Sequence, residues 1–191
     1  MSPTQPPSDA TVRLRPAEPR DESAILDLID RHRGVGLSAR ERAERGFVQG
    51  EWTPATLAAL ADGPGIWVAE EAGTLAGVAI SSAPGTVGTG PAGETNRVAA
   101  EVFGPGRYFL YGPVVVDEAF RGRGILRGLL TRLLEANVTT YAVAVAFIES
   151  TNTLSQTVHA RLGWRRIGGF ALGERSFDVL GLPTDPDGTL S

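Results

Sequence analysis

Three arginines crowd one turn of this chain: Arg121, Arg123 and Arg127, with Gly122 and Gly124 among them. The turn leads from a β-branched run, Val114, Val115 and Val116, into an apolar stripe at helical spacing, Ile125, Leu126, Leu129, Leu130, Leu133 and Leu134. The first turn of a helix carries partial positive charge and prefers carboxylates, yet here it carries guanidiniums. Free backbone N–H groups, the helix dipole and arginines in one place make an anion site, most simply a phosphate site. Gly122 and Gly124 let backbone approach such a ligand without a Cβ in the way. The alternative is a solvated basic helix start beside Asp117 and Glu118. No Gly-Lys-Ser/Thr follows the turn, and the spacing is not G-x-G-x-x-G, so neither a P-loop nor a dinucleotide fold is indicated.

The elements that must hold this turn are legible on both sides. Residues 107–116 form a strand interrupted at Gly112 and Pro113, where proline cannot donate to a ladder and a bulge is expected. Residues 141–148 are almost continuously apolar, as in a strand buried on both faces. Strand, helix and strand over 107–148 make a parallel, right-handed βαβ unit. Ligands of such units sit at the carboxyl ends of the strands, where the arginine turn lies.

Before this unit, residues 1–10 read as a proline-rich disordered leader and residues 11–15 as a first strand. Asp21 is expected to cap a helix carrying Ile25, Leu26, Leu28 and Ile29. Ser38 with Glu41 forms a capping box for a second helix to about Arg45. Thr53 before Pro54 opens a third that ends near Gly63. Residues 65–70 and 74–82 form an antiparallel hairpin. Residues 83–106 look like a long loop, with a short helix over 94–103. After the unit, Thr151 and Asn152 cap a helix that Gly163 stops, and two strands cover 164–172 and 175–180. The domain is expected to span 11–181, with a loose tail over 182–191.

With 191 residues the chain suits one domain with a real core. Cysteine is absent, which excludes disulfides, thiolate catalysis and Cys-ligated metal. His32 and His159 are far apart, so no metal site is expected. The net charge of −4 argues against nucleic acid and permits a cationic substrate. No membrane span or secretory signal is seen, which points to a cytoplasmic protein.

The arginine turn resembles the acyl-CoA loop of the GNAT N-acetyltransferase superfamily, R/Q-x-x-G-x-G/A after a strand, with Arg121 and Gly124 in place. It departs at the last small position, which is Leu126. The order of elements over roughly 11–181 resembles the same family. The resemblance implies an α/β fold (an α+β mixed sheet) of about seven strands with flanking helices, and acetyl-CoA as co-substrate with no metal. It implies that backbone groups of Val114, Val115 and Val116 pair with the pantetheine amides. It places the pyrophosphate on the N–H groups of Gly122, Arg123, Gly124, Ile125, Leu126 and Arg127, with Arg121 beside them. Asn152 matches an asparagine that faces the pantetheine in the family, besides its reading as a helix cap.

Val158 to Trp164 resembles the family's L-Y-x-x-L/x-G-F, with Trp164 for phenylalanine. His159 falls where a tyrosine general acid lies near the CoA sulfur. The amine nucleophile must lose a proton, and the acceptors considered are Glu149, then Tyr111, then Glu101. A backbone N–H of the cofactor strand would polarise the thioester carbonyl. Phe47, Trp52 and residues 83–106 are expected to hold the acceptor, a small-molecule or peptide amine. A homodimer through a free strand edge is possible. The implied activity is direct N-acyl transfer in a ternary complex. The rivals are a non-catalytic acyl-CoA sensor and an interaction domain whose strand gap is filled by side chains.

Overall fold

The computed structural model of the protein describes residues 11–38, 40–41 and 46–190. The expected leader over 1–10 and the end of the second helix over 42–45 lie outside the described residues. The capping box that opens that helix is present: the Ser38 N–H and hydroxyl donate to Glu41 Oε2 at 2.9 and 2.8 Å.

Among the described residues, seven strands form one mixed sheet in the order β1-β2-β3-β4-β5-β7-β6. They are β1 Arg13–Pro16, β2 Ile66–Glu71, β3 Thr74–Ser82, β4 Tyr108–Val116, β5 Val143–Glu149, β6 Arg165–Leu172 and β7 Arg175–Pro183. Neighbouring strands run antiparallel except β4 and β5. The helices are α1 Glu22–Arg31, α2 Pro54–Ala61, α3 Gly90–Phe103, α4 Ile125–Asn137 and α5 Thr153–Arg161.

Side-chain alternation sorts the helices onto two faces. Val68, Val78, Ile80 and Val115 meet α1 and α2, whereas Ala69, Ala79, Phe109 and Tyr111 meet α4 and Trp164. Tyr108, Leu110, Val143 and Val145 meet α3. Leu110 and Val115 share a face, because Tyr111 and Val114 both point the other way. Thus α1, α2 and α3 cover one face, and α4 and α5 the other. Leu129 and Leu133 of α4 are fully buried, and truncating either to alanine costs about 2–5 kcal/mol. Gly128 lets α4 lie against β1, because a Cβ there would stand 2.7 Å from Leu14 Cδ1.

Three local expectations change. Asp21 stands at the start of α1 but makes no side-chain cap. Its carboxylate instead receives Arg15 at 2.6 and 2.8 Å, and the Glu18 N–H at 2.7 Å. The buried Arg15 guanidinium holds the Asp21 carboxyl below the ordinary carboxylate range. The long segment before β4 is mostly helix. Residues 90–103 form α3, with Pro91 in the first turn, and Asn96 Nδ2 donates to Val87 O at 3.0 Å. The C-terminal segment is tied rather than loose at its start. β7 runs to Pro183, and Thr184 donates to Ala142 O at 3.0 Å and Tyr141 O at 2.6 Å.

Candidate functional site

The parallel strands β4 and β5 pair over only three positions, Tyr108, Phe109 and Leu110 against Val143, Ala144 and Val145. Beyond Leu110 they part. The cause lies in β4: on β3, Ala79 to Ser81 spans two steps, opposite three from Tyr111 to Val114 on β4. The extra residue falls at Gly112 and Pro113, where the bulge was expected, and bends β4 away from β5. Among the described residues, the edge of β4 facing β5 has no strand partner from Val114 onward.

A cleft of about 400 Å³ opens at this parting. Its lining joins Val114, Val115 and Val116, the turn from Phe120 to Arg127 except Arg123, Asn152, and His159 with its α5 neighbours. Gly46, Phe47 and Val48 close it from the side of α1. The cleft is bounded by β4 on one side and by the residues that follow β5 on the other.

Val115 differs from its neighbours. The Asp117 N–H donates to Ala76 O at 3.0 Å, so by alternation Val115 also bonds toward β3. The backbone groups of Val114 and Val116 then point toward the gap. The turn after them is built for close approach. Gly122 and Gly124 have φ of +77° and +76°, and a Cβ on either would meet nothing within 4 Å. The N–H groups that open α4 have no intrahelical partner by helix geometry, and they sit beside Arg121 and Arg127. This cradle fits a pyrophosphate.

Arg123 is directed elsewhere. Its guanidinium pairs in bidentate fashion with Glu71 of β2, at 2.8 and 2.5 Å, and lies 5.5 Å above the Phe120 ring. That pairing draws the Glu71 carboxyl down from its ordinary range. Leu126 lies on the cleft wall. Asn152 serves as a cap: its Oδ1 accepts from Ser155 N at 3.2 Å, and its Nδ2 donates to Phe47 O at 3.3 Å.

His159 is buried and lines the cleft. Its Nδ1 lies 2.8 Å from Ser155 O, which can only accept, so Nδ1 carries a proton. Neutral His159 therefore presents an unprotonated Nε2. Burial lowers its pKa and favours that neutral form. Tyr111 packs against both His159 and Trp164, with ring centroids 6.1 and 5.2 Å away. Its hydroxyl is buried without a partner among the described residues, and burial pushes its pKa well above the ordinary tyrosine value. Tyr111 is not part of the cleft wall.

Glu149 ends β5, three residues before Asn152, and also stands off the wall. Glu101 is an exposed partner of Arg97 on α3, at 2.8 Å. Trp52 donates to Gln49 O at 3.1 Å and packs on the α1–α2 core, away from the cleft. Arg161, His32 and Leu154 are wall residues that sequence reasoning passed over. Arg161 was within reach of that reasoning, lying on the same helix as His159. His32 was not, because only the fold brings α1 to this opening.

Among the described residues, no group of histidines and carboxylates is placed to hold a metal, and no helix is long and apolar enough to cross a membrane.

A family model described as "Acetyltransferase (GNAT) family" matches residues 27–164. A putative acetyltransferase, yncA, from Salmonella typhimurium, solved with its cofactor acetyl-CoA, is 21% identical. That match covers 94% of this chain and 98% of the other, with a TM-score of 0.62. The ribosomal-protein-S18-alanine N-acetyltransferase from Escherichia coli is 14% identical over 93% and 97% of the two chains, with a TM-score of 0.61. An N-acetyltransferase from Staphylococcus aureus Mu50 is 21% identical over 92% and 100%, with a TM-score of 0.61. At these identities the likeness is one of fold. A search of curated protein sequences found no match.

Proposed function

Because the chain belongs to the acetyltransferase (GNAT) family, we propose that it moves an acetyl group from acetyl-CoA to a primary amine by direct attack in a ternary complex. One observation carries this reading. The parting of β4 from β5 puts an unpaired strand edge, an anion cradle and a neutral histidine on one wall.

Each group has a task in the transfer. The cradle from Gly122 to Arg127 binds phosphate oxygens through backbone N–H groups, with Arg121 and Arg127 supplying charge. Val114 and Val116 offer backbone groups to an amide-bearing arm, as a missing strand would. Acetyl-CoA brings an acetyl thioester, already activated toward nucleophiles. A cleft-facing N–H of β4 stabilises the charge that develops on the carbonyl oxygen.

An alkyl ammonium is mostly protonated near pH 7, so the nucleophile must first shed one proton to solvent. His159 Nε2 accepts the second proton from the attacking nitrogen as the C–N bond forms and returns it to sulfur as the C–S bond breaks. The resemblance implies a general acid here. A histidine kept neutral by burial starts the cycle as a base instead.

The test is calorimetric titration with acetyl-CoA, followed by a release assay for free thiol across an amine panel. Micromolar binding with thiol release supports the proposal. Binding without release for any amine makes the chain an acyl-CoA sensor. Absence of binding at millimolar ligand overturns both readings.

A further inference from the structure

On the face opposite α4 and α5, the end of β5 carries a buried carboxylate that is only half satisfied. Val143 and Val145 point toward α3, so the two-residue period of the strand puts Phe147 and Glu149 on that face as well. Glu149 is 5% exposed. Its Oε1 accepts from the Thr151 hydroxyl at 2.8 Å, while its Oε2 is buried with no hydrogen-bond partner among the described residues. Leaving a buried carboxyl oxygen without a hydrogen bond is costly, so such a group in a folded protein points to a missing donor.

The surroundings say what kind. Phe177 pairs with Glu149 across the β5–β7 ladder. Phe147 packs edge-on to it at 6.1 Å, and Phe170 stacks on it at 5.0 Å. A carboxylate beside an aromatic wall suits a cation. The Arg175 guanidinium approaches this place already. It lies 5.4 Å from the Phe177 ring centre and 3.8 Å from Glu149 Oε2, an ion-pair distance too long for a hydrogen bond. Arg175 is 52% exposed and stands beside the β6–β7 turn, so it can be displaced.

Glu149 also stands next to the opening. The Asn152 N–H donates to Glu149 O at 2.8 Å, and Asn152 is part of the cleft wall. The cradle lies at the start of α4, and Glu149 stands on the opposite face of the sheet, three residues before Asn152.

We propose that Glu149, walled by Phe147 and Phe177, binds the second positive charge of a dicationic amine acceptor. This rests on the acetyl-transfer reading and narrows it to a substrate class: a diamine, or a peptide amine near a basic side chain. The net charge of −4 draws such a substrate in.

The experiment compares linear diamines with monoamines of equal chain length, from butyl to hexyl, titrated into the protein saturated with CoA. At least one diamine is expected to bind about 10- to 100-fold more tightly than its monoamine, the weight of a charge-assisted hydrogen bond. In Glu149→Gln that ratio falls to within about threefold of unity, while acetyl-CoA affinity stays unchanged. Arg175→Ala, which removes the competing guanidinium, tightens diamine binding. Equal affinities in the wild type, a ratio that survives Glu149→Gln, or weaker diamine binding in Arg175→Ala would each overturn the proposal. Thiol release, measured in parallel, separates the two claims. Glu149-dependent diamine binding without release sinks the transfer reading and leaves the cation site standing.

Discussion

At the scale of single residues, His159 and Tyr111 illustrate how one environment sorts two titratable groups. Both rings sit in the same buried contact with Trp164. Burial lowers the histidine and raises the tyrosine, and in each case it favours the neutral form. A neutral histidine is a usable base, whereas a neutral tyrosine can serve only as an acid. His159→Phe is therefore expected to lower kcat about 10²- to 10⁴-fold, the usual weight of a proton-transfer group. Acetyl-CoA affinity should stay within about threefold, because the substitution leaves the phosphate cradle intact. Calorimetry and steady-state rates together check this.

The acid limb of the pH–rate profile should fall below the ordinary histidine value of about 6.5. The same shift bears on stability. The unfolded chain takes up the proton first, so the contribution of His159 is complete above about pH 6.5 and is lost as pH falls through the lower folded value. Denaturant midpoints across that window test the sign. Tyr111→Phe removes a hydroxyl that has no partner, so thermal stability should hold or rise and kcat should change less than about twofold. A tenfold loss of rate would return Tyr111 to the chemistry.

At the scale of elements, the turn between β4 and α4 shows how far sequence reasoning reaches. The strand, the glycines and the apolar stripe of α4 were all legible, because each is a local pattern. The directions of the arginines were not. Arg123 turns to Glu71, 52 positions away in sequence, and only the antiparallel packing of β2 brings that carboxylate near. Charge reversal should separate the two kinds of arginine. Arg127→Glu is expected to weaken acetyl-CoA binding by about 10- to 100-fold, and Arg123→Glu by less than about threefold. Titrations at constant ionic strength decide it, since such contacts are screened by salt.

In the segment before β4 the expected helix over 94–103 is present, but it starts earlier, at Gly90. Gly90, Pro91 and Gly93 read as loop residues, yet proline suits the first turn of a helix, and Val98, Ala99 and Phe103 supply the buried face. Asp21 failed because a buried arginine competes for its carboxylate more strongly than a helix N–H does.

At the scale of the whole molecule, the parallel seam matters most. The sheet holds together along its antiparallel ladders, but β4 and β5 share only three register pairs. An acyl-CoA bound along the open edge therefore joins the two halves of the sheet. Saturation at about 100 times Kd is expected to add about 2.7 kcal/mol of stability. For a chain of this size that is a Tm increase of roughly 5–10 °C. Scanning fluorimetry with and without ligand reads it directly. Hydrogen exchange should slow first at Val114 and Val116, whose backbone groups face the opening.

That seam has a consequence for the life of the protein in a cell. Proteases attack chains in proportion to how often they open. A sheet completed by a metabolite is cut less often when that metabolite is plentiful. The abundance of this protein would then follow the supply of acyl donor with no regulator involved, and starvation would clear the catalyst along with its fuel.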